Sequence, residues 1–453
     1  MATPTIPNGE EHFFPIIYEG NGAGQRVGKF VPFTDSGTIA NSVIFNDADN
    51  AYLSRTNDAG DRDTFTISVW VKRGVLGAVQ YIFDTYDGSS SNDGFIRFNS
   101  DNTISIRLGS PSNLLYITNR TFEDTSKFYH IMLSVNTNDS TAGDRAKLYI
   151  DGDRITSFST QTNAGSGDNT QFNYSSATFR IGSTTSGSYD FDGYLAEFNF
   201  VDGQSLLPAS FGLTDTSTGR WIPAQVKPHP TTTTTYLVTV VGGNPSNHPY
   251  YNVGSTNKFA INGSTATADV DLTLYEGATY RFDQSDSSNS GHPLRFSTVA
   301  HGTHASGGTE YTTNVTVVGT AGTSGAYTEI TVASSAPDLH FYCSSHNGMG
   351  YQASTPNGYG TNGFRLTFSD SSSLGADTSG NSNTFTATNL SASSQTTDSP
   401  TQNFSTLEGS SSGSMTLSEG NLRYTTASAG NWESVYNDKS ISSGKWYFEL
   451  TCK

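Results

Sequence analysis

Apolar and polar residues alternate with a period of two through much of the chain. In TFTISVWVKR, residues 64 to 73, Phe65, Ile67, Val69 and Val71 fall on one face, and Thr66, Ser68, Trp70 and Lys72 on the other. That pattern predicts a β-strand. Further short strands are predicted in FIRFNS (95 to 100), SIRLGS (105 to 110), FYHIMLSVN (128 to 136), AKLYIDGDRI (146 to 155), FRIG (179 to 182) and YLAEFNFVDG (194 to 203). Clusters of Gly, Asn, Asp and Ser separate them, which is the punctuation of antiparallel strands. Asp151-Gly152 fits the two-residue turn of a hairpin. Helical periodicity is almost absent, and so many short strands suit a sandwich or jelly roll.

The order FTISVWVKR, FYHIMLSVN, AKLYIDGDRI, FDGYLAEFNF resembles the laminin-G-like, concanavalin A-type lectin domain over about residues 40 to 205. The opening VGKFVPFTDSGTIANSVIFNDADNAYLSRT and the closing LAEFNFVDGQSLLPASFG look like the version of that domain in tail or fibre proteins of marine bacteriophages. At KPHPTTTTT, residues 227 to 235, Pro and a Thr run predict an extended connector and a domain boundary. A second β block runs from YLVTVVGG (236 to 243) to about residue 352. After it, GFRLTFSDSSSLGADTSGNSNTFTATNLSASS (363 to 394) resumes the style of the first domain. In the phage proteins such a stretch follows almost directly after a segment like the WIPA at 221 to 224, so the second block reads as an insertion in a surface loop. The tail resembles the opening of a SPRY domain, chiefly in GKWYFEL (444 to 450), and stops within an apparent strand as a fragment would. The expected organisation is therefore all-β and multi-domain. Residues 1–226 form a concanavalin A-like jelly-roll sandwich with an N-terminal extension, and 227–356 an inserted cupredoxin-like Greek-key sandwich after the linker. Residues 357–400 return to the first domain, and 401–453 form an incomplete SPRY-like segment.

Composition narrows the setting. Aromatics reach 12% and charged residues only 14%, as in turn-rich, β-rich proteins of the extracellular style. Lys plus Arg total 24 against 41 Asp plus Glu, a net charge of -17, which repels polyanions and argues against nucleic acid and anionic membrane as partners. Cys343 and Cys452 make no disulfide framework, so stability must come from buried cores. Neither a signal-peptide pattern nor an apolar run of roughly 18 residues is present.

Against that background FYCSSHNGMG, residues 341 to 350, is unusual, because it crowds Cys343, His346 and Met349 into a chain with 2 Cys and 4 Met. A thiolate, an imidazole and a thioether at this spacing fit around one metal if the loop turns sharply, and Asn347-Gly348 supplies a turn. A mononuclear blue-copper centre needs a further imidazole, being trigonal His, His, Cys with a long axial Met. The candidate is GHPLRF (291 to 296), which follows the strand LTLYEGATYRFDQ (272 to 284). The order of these pieces resembles the cupredoxin family, and Cys-x2-His-x2-Met has the spacing of the short ligand loop in amicyanin-like members. The resemblance implies His292, Cys343, His346 and Met349 as ligands of one type 1 copper. The alternative is a cupredoxin-like sandwich without metal, its Cys acting as a small apolar residue.

The remaining histidines read as structural or solvated. His301 and His304 lie in a Gly- and Ser-rich loop expected to be mobile. His340 faces away from Cys343, His130 is structural in a lectin-domain strand, and His12, His229 and His248 sit in turn-rich, solvated segments. Neither the paired His clusters of a multicopper oxidase nor the paired carboxylates of a glucanase stand out, nor does any Ser/His/Asp grouping, so no enzymatic activity is expected. The aromatics Tyr81, Tyr86, Tyr174, Tyr189 and Trp70 and the acids Asp151, Asp153 and Asp192 read as core, turn or solvated residues, and none is assigned to sugar. The resemblances imply a virion tail or fibre-type adhesion protein, extracellular and homo-oligomeric, with a host-surface glycan and other virion subunits as partners. Calcium is a further cofactor of lectin-type domains, assigned here to no residue. The alternative is an extracytoplasmic blue-copper electron-transfer protein anchored by its lectin module.

Overall fold

The computed structural model describes residues 18–19, 26–27, 37–88, 93–109, 113–216, 218–242, 248–403, 405–408, 415–418, 421–426 and 436–437. Two β-sandwiches account for nearly all of them. In the larger, one sheet runs in pairing order Asp153–Arg154, Ala146–Ile150, Tyr129–Asn136, Thr64–Arg73, Gly193–Asp202, Ser42–Phe45 and Gln395–Thr396. Phe364–Leu366 also pairs with Gly193–Asp202. The facing sheet runs Phe158–Thr162, Leu115–Thr121, Thr103–Arg107, Gly94–Phe98, Gln80–Tyr86, Thr178–Ile181, Tyr52–Thr56 and Thr386–Thr388. The Asp151-Gly152 turn has φ of 53° and 84°, the left-handed pair that a tight hairpin requires.

The alternation in TFTISVWVKR sorts as the pattern requires. Phe65, Ile67, Val69 and Val71 all enter the inter-sheet core. The opposite face is buried too, because its polar groups find partners. The Thr66 hydroxyl donates to the Gln204 carbonyl at 2.7 Å, and the Lys72 ammonium meets Asp398 at 3.1 Å. Trp70 stacks on His130 with ring centroids 4.7 Å apart, beneath a cover that includes Trp221 of the WIPA segment.

Residues 358–403 are part of this sandwich. They add an edge strand to each sheet and one short strand beside Gly193–Asp202. Phe364 stacks on Phe200 at 5.7 Å in a ring cluster with Phe83, Phe179 and Phe198. A bulge at Glu197, φ 48°, breaks the register of its strand, and the Glu197 carboxylate takes a hydrogen bond from Arg365 at 2.5 Å.

The second sandwich lies between. Its five-stranded sheet runs Asn257–Ile261, Thr234–Gly242, Thr279–Asp283, Tyr327–Thr331 and Val315–Val318. Its four-stranded sheet runs Leu272–Thr273, Gln352–Ser354, Leu339–Cys343 and Leu294–Ser297. The core between them holds Phe259, Phe282, Phe296, Phe341, Cys343 and Met349. Both ends of the insertion meet at Gln204, whose amide donates to the carbonyls of Pro228 at 2.9 Å and Gly358 at 2.6 Å. The predicted connector is short, since the Thr run is already in a strand at Thr234.

Two expectations are corrected. His248 is not solvated: it is 2% exposed, and its Nδ1 accepts from the Tyr250 amide at 3.0 Å. The loop of His301 and His304 is tied down: His301 packs on Tyr250 at 4.5 Å, and His304 Nε2 lies 2.9 Å from the Cys343 carbonyl. His12 and the GKWYFEL stretch of the SPRY-like tail lie outside the described residues.

Candidate functional site

Three of the four proposed ligands meet at one end of the inserted sandwich. The strand Leu339–Cys343 pairs with Leu294–Ser297 so that Cys343 stands opposite Leu294, two residues after His292. The Cys343 Sγ lies 3.8 Å from His292 Nδ1 and 3.7 Å from His346 Nδ1, and the two imidazoles pack with centroids 4.6 Å apart. The ligand atoms of all three lie within 4.8 Å of one another. Metal–sulfur and metal–nitrogen bonds of about 2.3 and 2.05 Å place S and N about 3.6–3.8 Å apart across tetrahedral to trigonal angles. The observed separations fall there, so this set fits a single ion held through both Nδ1 atoms and the thiolate.

The loops are held independently of any ion. Buried Gln284 donates to the His292 carbonyl at 2.9 Å and accepts from the Leu294 amide at 2.9 Å, while buried Asn289 donates to the Val238 carbonyl at 2.7 Å. On the other loop the Ser344 amide donates to the Pro293 carbonyl at 3.0 Å, stitching the two ligand segments together. The Lys258 ammonium donates to the carbonyls of Gly348 and Val253 at 2.6 and 3.0 Å. Gly348, φ 77°, sits where a Cβ would lie 2.1 Å from the Val253 oxygen, so this turn requires glycine. Met349 follows at once, fully buried in the same core, its carbonyl accepting from the Phe259 amide at 2.9 Å.

Burial acts on two of the three donors. Burial, and the neighbouring His346, hold His292 below the ordinary imidazole value. Burial pushes the Cys343 thiol up, against the pull of the Ser345 and His346 amides and of Arg295. Cys343 is buried, His292 half-buried and His346 exposed, so one edge of the site faces solvent. His340 lies off this cluster, on the strand opposite Gln352 and Ser297.

In the larger sandwich His130 is fully buried. Trp221 Nε1 donates to its Nδ1 at 3.0 Å, so the proton sits on Nε2, 2.8 Å from the Ser68 hydroxyl. Tyr81 and Trp70 are core residues, whereas Tyr189 is 57% exposed and stacks on Tyr81 at 6.0 Å. Asp192 is buried, and burial, then Asp47, pushes it up to about 7. Asp151 takes an ion pair from Lys127 at 3.1 Å, and Asp153 is exposed in the hairpin.

Sequence reasoning missed a network at one junction of the two sandwiches. The Asp202 carboxylate accepts from the Asp61 amide (2.9 Å), the Asn173 side chain (2.7 Å) and the Asn362 amide (2.9 Å). Beside it opens a cleft of about 590 Å3 lined by Asp61, Asp202, Gly203, Tyr275, Asn357 and Asn381 among others. The visible signal was two acids at strand boundaries, in GDRD and FVDG, and nothing local pairs them.

Residues 46–208 match the concanavalin A-like lectin/glucanases superfamily, as its laminin-G-like member. The chain thus carries a concanavalin A-like lectin domain over that span, close to the predicted 40 to 205. It is similar to a heptameric SAP-like pentraxin from Limulus polyphemus, at 17% identity, 36% of this chain, 76% of that one and a TM-score of 0.28. It is also similar to domain 4 of an extracellular arabinanase from Geobacillus stearothermophilus in complex with arabinotriose, at 18% identity, 34% and 68% coverage and a TM-score of 0.25. A third structure is the sialidase CBM40 of Ruminococcus gnavus bound to sialyllactose, at 13%, 31% and 85%, with a TM-score of 0.23. No curated protein matches the chain.

Proposed function

We propose that this is a surface-recognition protein of the virion tail or fibre type, whose lectin domain binds host-surface glycan and whose inserted, cupredoxin-like sandwich holds one type 1 copper. The observation that supports the copper half is the approach of two imidazole Nδ1 atoms to the Cys343 sulfur at 3.7 and 3.8 Å. The lectin half rests on the family match over residues 46–208.

In this reading His292, Cys343 and His346 would hold the copper, and the Met349 thioether would add a weaker fourth donor. Bound copper would supply reversible one-electron chemistry or, binding only the folded insertion, stability. At a hundred times its Kd such a ligand stabilises by about 2.7 kcal/mol. Gln284, Asn289 and Lys258 fix the loops, and burial keeps water from the Cys343 sulfur and holds His292 below the ordinary imidazole value. No catalytic role is assigned to any of them.

Titrating the purified chain with Cu(II) is the direct test. An intense visible thiolate-to-copper band should appear at one equivalent and vanish in Cys343→Ser. A Met349→Leu variant should keep the band and shift the reduction potential. A colourless titration removes the copper half and leaves the lectin half standing.

A second reading, an extracytoplasmic electron-transfer protein, is favoured by the exposure of His346, which brings one edge of the site to the surface. Fast electron exchange between copper-loaded chains would support it, and exchange too slow to detect would return the metal to a structural role.

A further inference from the structure

The cleft beside Asp202 is built by three parts of the chain that no single domain contains. Asp61 and Gly203 come from the lectin sandwich, Tyr275 from the insertion, Asn357 from its exit and Asn381 from the return segment. Its volume of about 590 Å3 lies within the range of small-ligand sites, roughly 300 to 1,000 Å3.

Its floor is Gly203, φ 78°. A carbon placed at the Cβ position there would stand 3.2 Å from the Tyr275 hydroxyl and 4.0 Å from Asp61 Oδ2. Glycine thus keeps open a point that faces both a phenol and a carboxylate oxygen. Asp61 Oδ1 accepts from the Asp63 and Thr64 amides at 3.0 and 2.9 Å, which fixes the carboxylate with Oδ2 toward that point. Burial first, and then the Asp63 carboxyl, push Asp61 up to about 6, so an incoming hydroxyl donor is welcome. Among the described residues the Tyr275 hydroxyl donates one long hydrogen bond, 3.3 Å to the Gly203 carbonyl.

The neighbouring charges narrow the ligand further. Both oxygens of Asp202 already accept hydrogen bonds from protein N–H groups, so it is a brace and contributes negative potential without reaching outward. Arg55, which feels Asp58 and Asp377 before Asp202, is turned to Asn362 and Asn383 and does not line the cleft. A ligand here must donate hydroxyl hydrogens and carry no negative charge.

We propose that this cleft is a glycan subsite for a neutral sugar, with Asp61 Oδ2 and the Tyr275 hydroxyl reading adjacent hydroxyl groups above Gly203. The inference rests on the glycan-binding reading of the lectin domain and makes the insertion part of the recognition surface.

Calorimetry of the full chain against arabinotriose, mannotriose and 3′-sialyllactose tests it. At least one neutral trisaccharide should bind while sialyllactose does not. Asp61→Asn, which keeps the Oδ1 acceptor, should weaken binding about tenfold or more, as loss of a charge-assisted hydrogen bond implies. Tyr275→Phe should weaken it severalfold, and Tyr275→Ala more, with unchanged thermal unfolding of Asp61→Asn excluding a folding defect. Neutral-sugar binding that all three variants retain, or a preference for sialyllactose, would overturn the subsite and leave the lectin reading intact. No binding to either neutral sugar would overturn the subsite alone, and the lectin reading would fall only if the full chain also bound nothing on a glycan array.

Discussion

His130 is held between Trp70 and Trp221 with both nitrogens engaged, and burial lowers its pKa to about 3. The unfolded chain, with an ordinary imidazole near 6.5, therefore binds the proton first. The stability this group contributes is present above pH 6.5 and declines as pH falls toward 3, by about 1.4 kcal/mol per pH unit. Asp192, raised to about 7, and Asp84, raised to about 6 by burial, act the other way: each favours the fold when protonated and loses that contribution as pH rises. Urea unfolding of wild type and His130→Gln at pH 4.5 and 7.5 separates the terms. The advantage of wild type should shrink at the acid pH, and a pH-independent gap would contradict the assignment. Lys72 and Asp398 make a second test of the same covered face, both being almost wholly buried. Asp398→Ala should cost about 3–5 kcal/mol in the same experiment, because it takes the carboxylate away from a buried ammonium. The sequence marked His130 as structural but gave no hint of its partners, since Trp221 lies 91 positions away.

At the scale of elements, the strands of the lectin sandwich were legible because each alternates visibly, as TFTISVWVKR does. The short return strands Phe364–Leu366, Thr386–Thr388 and Gln395–Thr396 were not, since three residues or fewer carry no period. They nonetheless complete both sheets, and Phe364 fills the aromatic core. Ending the chain at residue 357 should therefore unfold the lectin domain, which loss of its cooperative melting transition would report. Excising 229–357 and joining the ends with a short Gly-Ser linker should leave that transition in place, because Gln204 already holds Pro228 and Gly358 together. His292, Cys343 and His346 could be singled out for a related reason: with Met349 they follow the order and spacing that the cupredoxin resemblance implies, and the fold brings those three together. What fixes their loops, the Gln284, Asn289 and Lys258 hydrogen bonds, depends on segments whose proximity only folding creates.

For the molecule as a whole, the nesting of one sandwich in another has a mechanical side. The described lectin domain closes where it opened: the Ser399 and Thr401 hydroxyls donate to the Ile39 carbonyl at 2.5 and 2.7 Å, and Gln395–Thr396 pairs with Ser42–Phe45. Tension applied to the chain on either side would thus enter and leave at nearly one point. The inserted sandwich, attached elsewhere through Gln204, hangs off that line of force, so a pull strong enough to peel the edge strand would leave the Cys343 loops unstrained.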